Sequence, residues 1–323
     1  MSVLDYFPEL LMFSYEKLFN FQSEMKSKIS YSQYNLEIRR SSILLDSYNL
    51  LKKTSLEKWL SKLHVTFMGE IGLDYGGLTR EWFSLMVKEI FNPIFALFHL
   101  ARNQKYQPSH LSYVNENHIE LFRFAGIFIA RSIIQNQSLK IHFTNCFYKQ
   151  ILQKEITYED FKDVDEDIYR SMVYIMNEDV EQLDLNFTID VDLYGKIQTI
   201  LLKDNGDEIK VTNENKKEYL YLYTNYHLKE LIIKQITAFR EGFYWMIPFD
   251  EIKILNIKEL DCLICGSSFI DVNDLRESIA YIYPYSMNHP VIQIFFNVIS
   301  KWNQENLEKL LVFITGSPQV PLF

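Results

Sequence analysis

The hydrophobic pattern is most regular between residues 64 and 93. Val65 and Phe67 alternate with polar neighbours, which is the period of a half-buried strand. After a glycine-rich loop, apolar residues recur at helical spacing and form a broad face: Leu78, Trp82, Leu85, Met86 and Ile90. Asn92-Pro93 ends this pattern, because proline lacks the amide that the next helical turn needs. We therefore predict a strand, a tight turn and a buried helix.

Helical periodicity extends through most of the chain. We predict further helices over residues 14–29, 41–53, 116–134, 143–152, 213–239, 249–265, 291–299 and 306–312. A short strand is predicted at 36–38. A hairpin is predicted around Asn205-Gly206, with strands at 198–202 and 209–211, because Asn-Gly favours the positive φ of a two-residue turn. Gly126, inside a predicted helix, indicates that another backbone approaches closely there.

Composition narrows the possible classes of protein. The chain has 323 residues, 48% of them hydrophobic, with only 10 glycines and 8 prolines, which favours long helices over a turn-rich β architecture. The net charge of −9 comes without a cluster of basic residues, so we expect no nucleic-acid binding. No apolar run reaches the ~18 residues of a membrane span. Three cysteines, an odd number, indicate a reducing compartment without a disulfide framework.

Residues 64–93 form the organising stretch of the chain, and three motifs follow one another within it. They are Gly72-Leu73-Asp74-Tyr75-Gly76-Gly77, Arg80-Glu81-Trp82-Phe83 and Phe91-Asn92-Pro93. Together they resemble the signature of the HECT ubiquitin ligase catalytic domain. The resemblance runs from about Phe13 to the last residue. It implies a bilobal, mostly helical α+β domain. The expected location, from the cysteine content and the lack of a long apolar run, is the cytoplasm, with the nucleus as an alternative.

The resemblance also implies a division into lobes. The large N-lobe would occupy residues 1–265, and a small subdomain within it, about 153–240, would dock the ubiquitin-conjugating enzyme. The interlobe hinge would be Gly266, Ser267 and Ser268. Residues 269–323 would be an incomplete C-lobe.

Within this small subdomain the resemblance assigns five residues to an apolar groove for the conjugating enzyme. Ile168 and Met172 would form one wall and Leu183 the strand side, while Tyr219 and Tyr223 would form an aromatic wall. Aromatic anchors in a groove are typical interface hot spots. The alternative is that the five side chains only pack the core of the subdomain.

A HECT ligase accepts ubiquitin on its own cysteine as a thioester and passes it to a lysine of a protein substrate. In the family this cysteine lies in a Thr-Cys-Phe motif beyond the point that corresponds to Phe323. We therefore expect no catalytic residue within this sequence, although Cys146 stands in a similar context, Thr144-Asn145-Cys146-Phe147. Cys146 is predicted to be a core residue.

The pair Cys262-x-x-Cys265 has the spacing of zinc ligands, but it lacks the second pair that such a site needs. We predict no metal site there, and no cofactor. The expected partners are a ubiquitin-conjugating enzyme, ubiquitin and an unknown protein substrate. The alternative function is a non-catalytic module that binds the conjugating enzyme.

Overall fold

The structure is a computed structural model that describes residues 8–101, 104–193, 196–266 and 270–315. It is the mostly helical α+β fold that the sequence predicts. Over these ranges the α-helices are α1 (Pro8–Ser27), α2 (Ile43–Leu51), α3 (Leu56–Trp59), α4 (Gly77–Ile90), α5 (His118–Ile134), α6 (Asn145–Ile151), α7 (Phe161–Val164), α8 (Glu166–Asn177), α9 (Lys216–Leu228), α10 (Ile233–Met246), α11 (Phe249–Ile252), α12 (Ile257–Cys265), α13 (Val272–Ser278), α14 (Pro290–Ile299) and α15 (Gln304–Thr315).

The strands described form three two-stranded sheets. Their bounds are β1 (Ser30–Ile38), β2 (Ser61–Phe67), β3 (Phe98–Leu100), β4 (Tyr106–Pro108), β5 (Thr188–Leu193) and β6 (Lys196–Leu201). β1 and β2 run parallel, with Leu36 opposite Val65. The other two pairs, β3 with β4 and β5 with β6, are antiparallel.

The chain divides into two compact units. The first comprises the described parts of residues 1–90, 127–141 and 258–323, and the second those of residues 91–126 and 142–257. The lobe boundaries at 265 and 269 and the small subdomain at 153–240 stay predictions.

The organising stretch is confirmed in the first unit, where β2, a tight turn and α4 follow one another. Trp82 of α4 is fully buried, and its indole Nε1 donates to Ser47 Oγ at 2.9 Å. Its ring meets those of Phe83 and Phe128 edge to face, at centroid distances of 4.9 and 5.6 Å. The apolar face of α4 therefore forms a core, as its periodicity predicts.

The carboxylate of Asp74 holds the glycine-rich turn together. Its Oδ2 accepts hydrogen bonds from the Val65 amide at 2.9 Å and from Thr79 Oγ1 at 2.5 Å, while Oδ1 accepts from the Gly76 amide at 2.7 Å. Gly76 has φ of +103°, the positive value expected for this turn. One side chain thus links the strand, the turn and the first turn of the helix.

In the second unit the part of α5 up to Gly126 lies with its backbone in contact with the backbone of α10. A Cβ added to Gly126 would lie 2.0 Å from the Phe239 carbonyl oxygen, and one added to Gly242 would lie 2.0 Å from the Arg123 carbonyl oxygen. Each glycine therefore faces the backbone of the other helix. The close approach predicted at Gly126 is confirmed.

The predicted hairpin around Asn205-Gly206 is wrong. Residues 196–201 pair instead with the preceding strand, β5, and residues 209–211 contribute only an isolated bridge between Asn186 and Lys210. Asn205 does take a positive φ, of +55°, but Gly206 packs against Phe187, whose amide donates to the Gly206 carbonyl at 2.9 Å. The alternation Thr188-Ile189-Asp190-Val191 was the signal for the true partner strand.

The single long helix predicted over 213–239 is also wrong, because the chain forms α9, a 3₁₀ turn at Glu230–Ile232 and then α10. The Leu228 carbonyl at the end of α9 accepts from Gln150 Nε2 at 2.5 Å. A side chain distant in sequence thus satisfies a carbonyl that the helix leaves open at its end.

Residues 270–315 contain a small core of their own, made by α13, α14 and α15. Its buried members are Ile270, Phe296, Ile299, Leu307 and Leu311. Of the predicted hinge, Gly266 has φ of +74°, which favours glycine. Ser267 and Ser268 lie outside the described residues, and the hinge stays a prediction.

Candidate functional site: an apolar surface over helices α8 and α9

Four of the five predicted groove residues come together in one core cluster of the second unit. Met172 and Tyr219 are buried members of this cluster, and Ile168 and Tyr223 pack against it while remaining partly exposed. Leu183, in the 3₁₀ helix Glu181–Leu183, is not among the members of the cluster and is 39% exposed. Residues distant in the sequence, on α8 and α9, are thus adjacent in the fold.

Burial divides these residues into two groups. Met172 is 3% exposed and Tyr219 is 5% exposed, so neither presents much surface to a partner in this conformation. Ile168, Leu183 and Tyr223 retain accessible surface. Met172 and Tyr219 therefore lie beneath the surface at which Ile168, Leu183 and Tyr223 are accessible.

A local capping interaction fixes the start of α8. The Asp165 carboxylate accepts hydrogen bonds from the amides of Asp167 and Ile168, at 3.0 and 3.1 Å, and satisfies donors that a helix start leaves free. From this cap, helical spacing directs Met172 and Ile175 into the core. Ile168, on the same stripe, is held one turn closer to the cap.

On α9, the aromatic side chains at every fourth position form a row. The Tyr219 and Tyr223 rings are 5.8 Å apart, and Tyr223 stacks on the imidazole of His227 at 4.9 Å. Tyr219 also meets Phe187 edge to face at 5.6 Å. Phe161 closes the other end, with its centroid 6.0 Å from His227. These rings form a continuous aromatic wall.

Burial shifts the pKa values of Tyr223 and His227 in this row. Burial raises the pKa of Tyr223 to about 12, and the charges of the neighbouring Tyr219 and Asp165 act in the same direction. Burial, with a further contribution from His110, lowers the pKa of His227 to about 4. Both side chains are therefore neutral at physiological pH, and the wall is an uncharged surface.

Sequence reasoning missed His227 and Phe187 as parts of this wall. His227 lies four residues after Tyr223, a spacing that places both on one face of a helix and could have identified it. Phe187 had no comparable signal, because its partners Tyr219 and Lys203 are remote in the sequence. The Lys203 ammonium lies 3.7 Å from the centre of the Phe187 ring, a cation–π contact.

None of the three cysteines combines exposure with an activated thiol. Cys146 is fully buried, and burial raises the pKa of its thiol, as expected for a core residue. Cys265 is also fully buried and donates to the Ile141 carbonyl. Cys262 is partly exposed, but burial, followed by the charge of Asp261, raises its pKa to about 11. Both pKa shifts follow first from burial, which disfavours the charged thiolate.

Within the described ranges, none of the helices combines the length and the hydrophobicity needed to span a lipid bilayer.

Comparison with known proteins identifies the family. The family model for the HECT-domain (ubiquitin-transferase) matches residues 84–323. The mouse E3 ubiquitin-protein ligase NEDD4 is 41% identical over 297 residues, which cover 90% of this chain and 33% of the relative. The E3 ubiquitin-protein ligase RSP5 of Emericella nidulans is 36% identical over 309 residues, 95% of this chain and 38% of the relative. Mouse HUWE1 is 38% identical over 291 residues, 89% of this chain and 7% of the relative.

The chain therefore belongs to the HECT-domain (ubiquitin-transferase) family, as the motifs around Asp74 and Trp82 predict. It spans 38% or less of the length of each of these relatives.

Proposed function

We propose that this chain is part of a HECT-type ubiquitin-protein ligase and that its second unit docks the ubiquitin-conjugating enzyme. The whole ligase would accept ubiquitin from that enzyme as a cysteine thioester and transfer it to a lysine of a protein substrate. The observation that carries the docking role is the uncharged aromatic row of α9 beside α8, in a chain that belongs to the HECT family.

Three residues would make direct contact with the conjugating enzyme. Ile168, Leu183 and Tyr223 keep accessible surface, so a partner can bury them without unfolding the cluster. Met172 and Tyr219 would act beneath this surface, because they hold α8 and α9 in place. A few well-packed apolar and aromatic anchors carry most of the energy of a typical interface.

Direct binding of a panel of purified conjugating enzymes, measured by calorimetry, tests this function. Tyr223→Ala should weaken binding by more than ~1 kcal/mol, or roughly fivefold or more, because it removes an aromatic anchor. Leu183→Ala should weaken binding as well, and its side chain is exposed enough that folding is preserved. The matched control is Tyr221→Ala, which removes a 58% exposed tyrosine of the same helix.

Tyr221 is two residues from both Tyr219 and Tyr223, so it points to the opposite side of α9. Its loss should leave the affinity unchanged. Circular dichroism of each variant separates lost contact from lost folding. If both Tyr223→Ala and Leu183→Ala fold and bind as tightly as the wild type, the surface is wrongly assigned.

The second candidate is a binding module that docks the conjugating enzyme without forming a thioester. The burial and raised pKa values of the cysteine thiols favour it for this sequence. Incubation with ubiquitin-charged conjugating enzyme tests the binding module. A ubiquitin adduct on the chain that a reducing agent removes would show a thioester on one of Cys146, Cys262 and Cys265, and would contradict the binding module.

The proposed location is the cytoplasm, with the nucleus as the alternative. All three cysteines are free thiols, which suits a reducing compartment.

A further inference from the structure

A cavity of the second unit lies between α6, α9 and α10, on the side of α9 that carries Tyr221. Its volume is about 300 Å³. Most of the residues that line it are polar. They include Gln150, Lys154, Glu155, Tyr221, Lys229 and Arg240. The predicted docking residues are not among those that line it.

The charge of this cavity is opposite to that of the chain as a whole. Lys154, Lys229 and Arg240 supply three cations, and Glu155 is the one carboxylate of the lining. The cavity therefore carries a formal charge of +2, in a chain whose net charge is −9. Among the described residues, no ion pair neutralises any of the three cations.

Two lining groups have hydrogen-bonding atoms that the protein leaves unused. Arg240 Nε is buried and lacks a partner within the described structure, while its guanidinium lies 5.7 Å from the centre of the Tyr244 ring. Gln150 is 5% exposed; its Nε2 donates to the Leu228 carbonyl, but its Oε1 has no donor. Lys154 uses one of its donors on the Leu255 carbonyl at 2.9 Å. Buried polar atoms without partners are rare and call for a ligand or water.

The orientation of the Gln150 amide follows from its neighbour. Reversal of the amide would place two oxygens, Oε1 and the Leu228 carbonyl, against each other, so Nε2 must be the atom at Leu228. The cavity accordingly presents a hydrogen-bond acceptor as well as its cations. A ligand that satisfies both has an anionic group and a hydrogen-bond donor such as a hydroxyl.

We propose that this cavity binds a small polyol that carries one phosphate monoester. The dianionic phosphate matches the charge of +2, and Arg240, Lys229 and Lys154 are donors of the kind that bind phosphate oxygens through charge-assisted hydrogen bonds. A hydroxyl of the polyol donates to Gln150 Oε1. The volume lies at the lower end of the range for small-molecule sites, which suits a ligand of this size.

The test is direct binding of glucose 6-phosphate to the whole chain, measured by calorimetry. Glucose and inorganic phosphate are the comparison ligands. We expect saturable binding of glucose 6-phosphate, weaker binding of phosphate and none of glucose. Arg240→Gln and Lys229→Gln should each weaken binding about tenfold, the effect of losing one charge-assisted contact. Lys234→Gln, which neutralises an exposed lysine of α10 outside the lining, should bind like the wild type.

Three results would overturn the proposal: no saturable binding of glucose 6-phosphate, equal affinities of Arg240→Gln and Lys234→Gln, or inorganic phosphate binding as tightly as the ester. The last result would mean that the cavity takes adventitious anions only. Thermal unfolding of each variant without ligand confirms that the comparison is made on folded protein. The readout does not involve a conjugating enzyme, so it is independent of the proposed docking function.

Discussion

The contact between α5 and α10 makes a quantitative prediction for Gly126→Ala. The added methyl carbon would lie 2.0 Å from the Phe239 carbonyl oxygen and 2.9 Å from the Phe243 amide nitrogen, whereas ordinary contact begins at 3.4 Å. Both neighbours are backbone atoms of one helix, so no side-chain rotation can relieve the overlap. The two helices must separate, and the packing around Gly242 must loosen with them.

Two opposing effects set the size of the change in the free energy of unfolding. Alanine in place of glycine favours the helix by ~1 kcal/mol. Overpacking in a well-packed core costs typically about 1–3 kcal/mol and occasionally more, and a clash with rigid backbone belongs at the upper end. We therefore expect Gly126→Ala to lower the free energy of unfolding by about 2 kcal/mol.

Urea titration followed by tryptophan fluorescence measures this loss. The control is Gly77→Ala at the start of α4, where an added Cβ meets no atom within 4 Å. Gly77→Ala should be as stable as the wild type or slightly more stable. If Gly126→Ala matched or exceeded the wild type in stability, the close approach of the two helices would be refuted.

Three further predictions concern other side chains. Because folding lowers the pKa of His227 from 6.5 to about 4, its contribution to stability is complete above pH 6.5 and is lost as the pH falls towards 4. The free energy of unfolding, measured at decreasing pH, should therefore fall by on the order of 1–2 kcal/mol by pH 5 in the wild type but not in His227→Asn. An equal loss in both proteins would contradict the role of His227. A thiol reagent at pH 8 should label folded protein at Cys262 at most, and label Cys146 and Cys265 only after denaturation; rapid labelling of Cys146 would contradict its burial. Asp74→Ala should cost about 1–3 kcal/mol in a urea titration, since three donors lose their acceptor, and an unchanged midpoint would show that the turn does not depend on it.

The pattern of hydrophobic, polar and turn residues predicted correctly those elements whose stabilising contacts come from residues nearby in the sequence. The stretch from β2 to α4 matched its predicted order because alternation, turn residues and helical spacing agreed there. The long helix over 213–239 failed because Gln150, far away in the sequence, bonds to the Leu228 carbonyl where the helix breaks. The hairpin at Asn205-Gly206 failed for a similar reason, since the Phe187 amide, distant in the sequence, donates to the Gly206 carbonyl of the predicted turn.

For the candidate site, the family resemblance supplied the residues, and their role in docking stays a prediction. Helical spacing placed Tyr219 and Tyr223 on one face, and the structure confirms that they are neighbours. It could not show that Tyr219 is buried and Tyr223 partly exposed, because that difference depends on Phe187 and Phe161.

Site-specific photo-crosslinking tests the docking surface most directly. A photoreactive benzoylphenylalanine replaces Leu183 in one protein and Tyr221 in another, and each is illuminated with a conjugating enzyme that binds the wild-type chain. Leu183 lies at the proposed surface, whereas Tyr221 is comparably accessible on the other side of α9. We expect a crosslinked product from position 183 and none from position 221. A crosslink from position 221 without one from position 183 would place the conjugating enzyme elsewhere and contradict the account.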